Sequence, residues 1–252
     1  TDFLIFCESE LKKSHYNDWK NSIYQFFVDW HNSNEGIEVQ TSGSTGEAKT
    51  ITMLKKHMMA SAQATIRFLG CSSGEWAWLC LSADYIAGKM MIVRALTGNL
   101  NLWISKPETM AALPTLDKIG LTAMVPKQLV LWIENPSQAR ILDNKISHLL
   151  IGGSSISDTI ERSLQQMKSV ALWHTYGMTE TLSHVALRRI NGINHTSAYS
   201  TLPGVSISQN HQGCLVIDYP LIGVHNLHTH DIIKLMSDTS FTLEGRSDWI
   251  IN

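Results

Sequence analysis

WAWLCLS at 76–82 and NLWIS at 101–105 are short apolar runs, and the residues between them carry the three- and four-residue spacing of a helix near 88–97. The alternation continues with a helix near 108–118, LTAMV at 121–125, a helix near 127–134, HLLIG at 148–152 and VALWH at 170–174. Short apolar runs separated by helical patterns are the signature of crossover units. We therefore expect an α/β fold, with layered, mostly parallel sheets and flanking helices.

Upstream, Leu54, Met58, Ala62, Ile66 and Leu69 form a helical stripe that Gly70 should end. Before it, Tyr16, Trp19, Ile23, Tyr24, Phe26, Phe27 and Trp30 have the spacing of one apolar helix face. Downstream, Asp158 and Glu161 have capping-box spacing ahead of Ile160, Leu164 and Met167. After about residue 182 the texture changes. HVALRRI, CLVIDY, DIIKLM and FTLEG are strand-like runs between turn signals, so a β-rich part is expected over 183–252, with Leu202-Pro203-Gly204 as a border within it.

Composition excludes several classes. The 252 residues are 44% hydrophobic and 17% charged, which suits a globular chain with its own core. Twenty basic against 22 acidic side chains give no field for a polyanion, so nucleic acid is not an expected partner. Cys7, Cys71, Cys80 and Cys214 are far apart and read as reduced, buried thiols, which points to a cytoplasmic setting. No apolar run approaches the roughly 18 residues a membrane span needs.

Ahead of the helix that starts near Leu54 lies Thr41-Ser42-Gly43-Ser44-Thr45-Gly46-Glu47-Ala48-Lys49-Thr50. Backbone N–H groups freed by glycine, hydroxyl donors and a lysine can wrap a phosphate chain. The Walker A pattern fits poorly, because Ala48 falls where its second glycine must be. The run instead resembles the T-S-G-[ST]-T-G-x-P-K signature of the acyl-adenylate-forming superfamily, with Ala48 in place of proline. Later elements follow in that superfamily's order: Ile151-Gly152-Gly153-Ser154, Tyr176-Gly177-Met178-Thr179-Glu180-Thr181, Thr229-His230-Asp231 and Gly245-Arg246-Ser247-Asp248.

The resemblance implies a set of roles. Thr41, Ser42, Gly43, Ser44, Thr45, Gly46 and Lys49 would hold the ATP phosphates. Gly152, Gly153, Ser154, Tyr176 and Gly177 would meet adenine, with Asp231 and Arg246 at the ribose. Glu180 would ligate Mg²⁺ together with Thr45, and Glu180, Thr45 and Lys49 would serve the chemistry. Asp248 would be the hinge to a further C-terminal domain that supplies the principal catalytic lysine. Asn252 comes four residues later, so the chain is expected to be the large domain alone, weak or inactive in turnover.

Within the superfamily, the run from Tyr176 to Arg188 is most similar to the o-succinylbenzoate-CoA ligase branch. That implies ATP-dependent activation of a carboxylic acid and transfer to coenzyme A. Tyr85 occupies the place of a usual active-site histidine in Leu81-Ser82-Ala83-Asp84-Tyr85-Ile86-Ala87-Gly88. A second carboxylate on the acid calls for a cation or several donors in an apolar pocket. Lys89, Arg94, His184 and Arg188 are candidates, with Tyr85, Met178 and Thr181 beside the acyl group. A structural salt bridge is the plain alternative for Arg94 and Arg188. His225, His228 and His230 form a cluster read as surface or subunit contacts in preference to a metal site, and a homo-oligomer is compatible with the sequence. Ligases for other aryl or fatty acids, and a non-catalytic nucleotide binder, are the competing readings.

Overall fold

A computed structural model describes residues 2–13, 18–40 and 50–249. The aromatic N-terminal segment forms two helices where one was expected, α1 (Asp2–Lys13) and α2 (Asn21–His31). Phe3 and Phe6 of α1 meet Phe27 and Tyr24 of α2 edge-on. Tyr16 lies outside the described residues. An antiparallel pair follows, β1 (Gly36–Gln40) with β2 (Thr50–Leu54), and Gln40 sits opposite Thr50. Residues 41–49 therefore join two paired strands. These nine residues lie outside the described residues, and with them Thr41, Ser42, Gly43, Ser44, Thr45, Gly46 and Lys49.

The helix expected from the Leu54 stripe is α3 (Lys55–Leu69), and Gly70 caps it in the left-handed conformation. Alternating elements then run β3 (Trp76–Leu79), α4 (Ile86–Gly98), β4 (Asn101–Ile104), β5 (Ile119–Met124), α5 (Pro126–Glu134), α6 (Pro136–Lys145), β6 (Ile146–Ile151), α7 (Asp158–Leu164) and β7 (Ala171–Gly177). Strands β8 (His184–Arg189), β9 (Tyr199–Thr201), β10 (Ser206–Gln209), β11 (Cys214–Tyr219), β12 (Val224–Ser237) and β13 (Ser240–Arg246) complete the β-rich part. An 11-stranded sheet has the order β10-β11-β12-β13-β9-β8-β7-β6-β5-β3-β4. Its β4–β7 portion is parallel, and every pairing from β7–β8 onward is antiparallel. The border at Leu202-Pro203-Gly204 does not interrupt the sheet. It is the turn from β9 to β10.

Three local expectations are corrected. No helix forms over 108–118, because Pro114 lacks an N–H and biases Leu113 away from helical backbone. That segment is pinned as a loop: Ser105 Oγ donates to the Ala112 carbonyl, Gln128 Nε2 to that of Glu108 and Lys145 Nζ to that of Leu116. Helix α6 was not anticipated, although Asn135 caps it by accepting from the N–H groups of Ser137 and Gln138, with Pro136 in the first turn. The α7 cap is Ser157, which accepts from Ile160 N–H, and Asp158 is already helical.

Helices cover both faces of the parallel portion. On β3, Ala77 and Leu79 join a core that includes Met58, Ala62, Met90 and Ile92 of α3 and α4, while Trp78, with Cys80 just past the strand, joins one with Leu129, Trp132, Leu142 and Leu164 of α5–α7. This alternation follows from the two-residue period of a strand. All six residues of β5 are buried, as expected of a central parallel strand. Leu149 on β6 is fully buried in the second core. Leu149→Ala should therefore destabilise the fold by about 2–5 kcal/mol, seen as a lower urea midpoint with an unchanged slope.

Candidate active site

The parallel strands end together: Met124 on β5 lies beside Ile151 on β6, and Ile151 beside His174 on β7. Ligands of open α/β sheets bind beyond such carboxyl ends. Here a cavity of about 210 Å³ opens there, lined by Val125, Gly152, Gly153, Thr175 and Gly177–Thr179, with Ile86, Ala87 and Arg94 from α4 and Leu182–His184. Its wall is mostly apolar, and Arg94 is the one ionised side chain among the described residues lining it.

Two glycines are demanded by geometry. Gly153 has φ +87°, a conformation side chains resist. A Cβ on Gly177 would lie 2.5 Å from His184 Cα and from the Ser183 carbonyl oxygen, so that close approach of β7 to β8 needs glycine. Five residues beyond Gly177, Leu182 adopts φ 65° and ψ −42° without being glycine. Ser183 N–H donates to the Thr181 carbonyl at 2.6 Å, closing a three-residue turn of the rarer hand. Such backbone costs about 1–3 kcal/mol and is retained where surroundings enforce it. The turn carries Leu182, Ser183 and His184 into the cavity wall.

Arg94 is 3% exposed and has no carboxylate partner among the described residues. One terminal nitrogen, Nη2, donates to Ser183 Oγ at 2.9 Å and reaches His184 Nδ1 at 3.5 Å. Its Nε has no hydrogen-bond partner. Burial brings the guanidinium pKa down to about 10, which leaves it charged at neutral pH. His184 is held well below the ordinary imidazole value, first by burial and then by Arg94, and is neutral.

The other expected acyl-pocket cations are elsewhere. Arg188 forms a bidentate pair with Glu161, at 2.6 and 2.7 Å, and sits over the Tyr199 ring. This is the structural salt bridge, not a cavity cation. Lys89 is half-buried with Nζ over the Phe26 ring, and burial lowers its pKa. Tyr85 is 60% exposed at the start of α4 and does not line the cavity. Met178 does, whereas Thr181 is buried, its hydroxyl bonded within the turn to Met178 and Ser183.

The residues expected at the nucleotide are brought together across β7, β12 and β13. Asp231 and Arg246 are direct partners in the β12–β13 ladder, and Arg246 Nη1 lies 3.3 Å from Asp231 Oδ1. Tyr176 donates its hydroxyl to Asp231 Oδ2 at 2.6 Å, and burial with that carboxylate pushes its pKa up. Its ring is edge-on to Tyr199 and Phe241. Arg246 also grips Asp248 through Nε and Nη2, which holds that carboxyl below its usual range. Ser154 is tied to the core through its carbonyl, 3.3 Å from His174 Nε2, and Tyr199 Oη lies 2.6 Å from His174 Nδ1. Glu180 is exposed beside Thr179 and has no partner among the described residues. His225 faces Asp218 and His228 and His230 are exposed; no cluster of three metal-ligating groups occurs among the described residues.

The fold that carries this strand-end cavity is that of the N-terminal domain of adenylate-forming enzymes. The family model described as AMP-binding enzyme matches residues 39–218, and the chain belongs to that family. An acyl-CoA synthetase (AMP-forming)/AMP-acid ligase II-like protein from Dyadobacter fermentans is 31% identical, with a TM-score of 0.85 over 98% of this chain and 69% of that one. The O-succinylbenzoate coenzyme A synthetase of Bacillus subtilis, solved with ATP and magnesium, shares the fold at 16% identity, with a TM-score of 0.64 over 85% of this chain and 50% of that one. Among curated relatives, tenellin synthetase of Beauveria bassiana is 25% identical over 69% of this chain, and the 2-succinylbenzoate–CoA ligase of Listeria monocytogenes 25% over 62%. The matches cover 4% and 33% of those two proteins.

Thr65, Ser183, Glu161 and His174 were missed as contributors. One signal was available, since Ser61 and Thr65 are hydroxyls four apart beside the α3 stripe, and both are fully buried. The Arg188–Glu161 pair yields a measurable pH dependence. Glu161 is held below its ordinary pKa of 4.5, chiefly by Arg188. The pair's contribution is complete above that value and lost as pH falls through the lower folded pKa. Arg188→Met should cost about 1–3 kcal/mol at neutral pH, and the gap from wild type should close in acid denaturation curves.

Proposed function

We propose that the protein is an acid–thiol ligase that converts a carboxylic acid to its acyl-adenylate with ATP and passes the acyl group to coenzyme A. The acid is an aromatic dicarboxylate of the o-succinylbenzoate type. The observation that carries the choice of acid is Arg94, a buried, charged guanidinium in an apolar wall with no carboxylate among the described residues to neutralise it. An unpaired buried charge is costly, and a ligand carboxylate there relieves that cost. The cavity is also smaller than the roughly 300–1,000 Å³ of sites for drug-sized ligands, which favours a one-ring acid over a long acyl chain. The Listeria relatives named as 2-succinylbenzoate–CoA ligases support the same reading.

In this mechanism the acid's reacting carboxylate attacks the α-phosphorus of ATP, pyrophosphate leaves, and the coenzyme A thiol displaces AMP. Asp231 positions the ribose. A carboxylate offers about four lone-pair sites; Tyr176 and Arg246 use two, which leaves two for a ribose diol. Gly152 and Gly153 leave the cavity wall without side chains, so a flat ring can approach backbone. Thr41–Gly46 and Lys49 are the proposed phosphate donors. Glu180, with Thr45, is the proposed holder of Mg²⁺, and its free, exposed carboxylate is the hard oxygen donor such an ion takes. The ion would neutralise charge building on the phosphates.

A carboxylate panel tests the proposal through acid-dependent pyrophosphate release and adenylate mass. 2-Succinylbenzoate should respond, and silence with it beside a response to another acid overturns the choice. Arg94→Met should weaken binding of the dicarboxylate about 10- to 100-fold, the scale of a lost charged hydrogen bond, and leave monocarboxylates nearly unchanged. Glu180→Gln should weaken Mg²⁺-dependent ATP binding in calorimetry, and equal binding contradicts its assignment.

A further inference from the structure

His184 is one of the four candidates for holding the substrate's second carboxylate. Its hydrogen bonds assign it a different task. Thr65 Oγ1 donates to the Ser61 carbonyl at 3.1 Å, so its single proton is committed. The contact between Thr65 Oγ1 and His184 Nε2, at 3.0 Å, then requires Nε2–H to be the donor. A neutral imidazole protonated on Nε2 has a bare Nδ1, and that atom faces Arg94 Nη2, a donor. Donors and acceptors thus run in one direction, from Arg94 through His184 and Thr65 to the backbone of α3.

We infer that His184 is a positioning residue, an acceptor that with Ser183 fixes Arg94 Nη2 and so aims the guanidinium at the one anionic group of the bound acid. Nη2 is the sole Arg94 nitrogen with hydrogen-bond partners among the described residues; Nε is buried without one, and Nη1 remains for the ligand. Among the described residues the cavity then supplies one positive charge, not two, and selects an acid with one carboxylate beyond the reacting one. This rests on the proposed function above and deepens it. The turn at Leu182 serves the same end, since it delivers Ser183 and His184 as adjacent acceptors.

The groups facing His184 are Arg94 from α4 and the uncharged Ser61 and Thr65 from α3, with Cys71 acting on Arg94 from beyond α3. Burial raises the Cys71 thiol to about 11, so neither it nor Arg94 titrates near neutrality. The preference for a dicarboxylate should therefore stay flat across about pH 6 to 8 in the wild-type protein.

The test is calorimetric binding of 2-succinylbenzoate against 3-benzoylpropionate, which lacks the ring carboxylate. Wild type should prefer the first, and Arg94→Met should erase that preference. His184→Phe should cut it about tenfold, while His184→Asn, which restores an acceptor near the Nδ1 position, should hold it within about threefold. No preference in wild type, or a preference untouched by Arg94→Met, overturns the proposed acid and this inference together. A preference lost in Arg94→Met but kept in His184→Phe overturns only the role of His184, as does an Asn variant no better than Phe. Should both His184 variants fail to fold, the wild-type pH series decides: a preference that falls as pH rises from about 6 to 8 marks His184 as a cation contact and overturns the inference.

Discussion

Met124, Ile151 and His174 stand side by side where the parallel pairing of β5, β6 and β7 ends, and the site depends on that register. Parallel strands bring their carboxyl ends to one edge, so the residues that follow them, Val125, Gly152 and Thr175, surround one space. A slip of one residue on β6 would turn Ile151 out of the second core and move Gly152 out of the wall. Burial of β5 and β6 on both faces makes such a slip expensive, because every displaced side chain would exchange core for the wrong layer. Packing energy thus fixes the geometry of a polar site without contributing a polar group to it.

Within that frame Arg94 is a buried charge with no carboxylate partner among the described residues. Arg94 remains protonated despite its burial, and its contacts to Ser183 and His184 are to neutral acceptors. Neutral acceptors offset part of the desolvation cost but leave the charge itself. Arg188 shows the alternative within the same sheet: Glu161 meets it with two short hydrogen bonds and raises its pKa. The contrast separates two arginines that look alike in sequence, one built into the fold and one that we propose meets a ligand.

What could be read in the sequence depended on how far apart the cooperating residues lie. The run at 41–50, the Gly152-Gly153 pair, the Tyr176–Thr181 run and the Asp231 and Arg246 elements are short and contiguous, so residue type and order were enough to carry the resemblance to the family. The alternation of strands and helices was legible for the same reason, and it failed over 108–118, where Pro114 outweighs apolar spacing. Partners in space left no local trace. Thr65 and His184 are 119 positions apart, and Glu161 meets Arg188 only because α7 packs beside β8. The charge at Arg188 and the option of a salt bridge were visible; the partner that forms it was not.

The two buried histidines beside the site show why residue type alone misassigns roles. His174 and His184 are each pushed toward the neutral form by burial, with an arginine adding to the effect. Each lies between a hydroxyl and another polar group, His174 between Tyr199 and the Ser154 carbonyl, His184 between Thr65 and Arg94. A neutral imidazole offers one donor and one acceptor, so a pair of partners with opposite needs is satisfied only in one tautomer. At His174 the Ser154 carbonyl can only accept, so Nε2 carries the proton and Nδ1 takes the Tyr199 hydroxyl. At His184 the proton again sits on Nε2, and Nδ1 takes Arg94. In both places the imidazole is a rigid two-way connector, tying the glycine wall to β9 in one case and the cavity cation to α3 in the other. A protonated ring could make neither acceptor contact, so the arginines that suppress protonation are part of what keeps the cavity in shape.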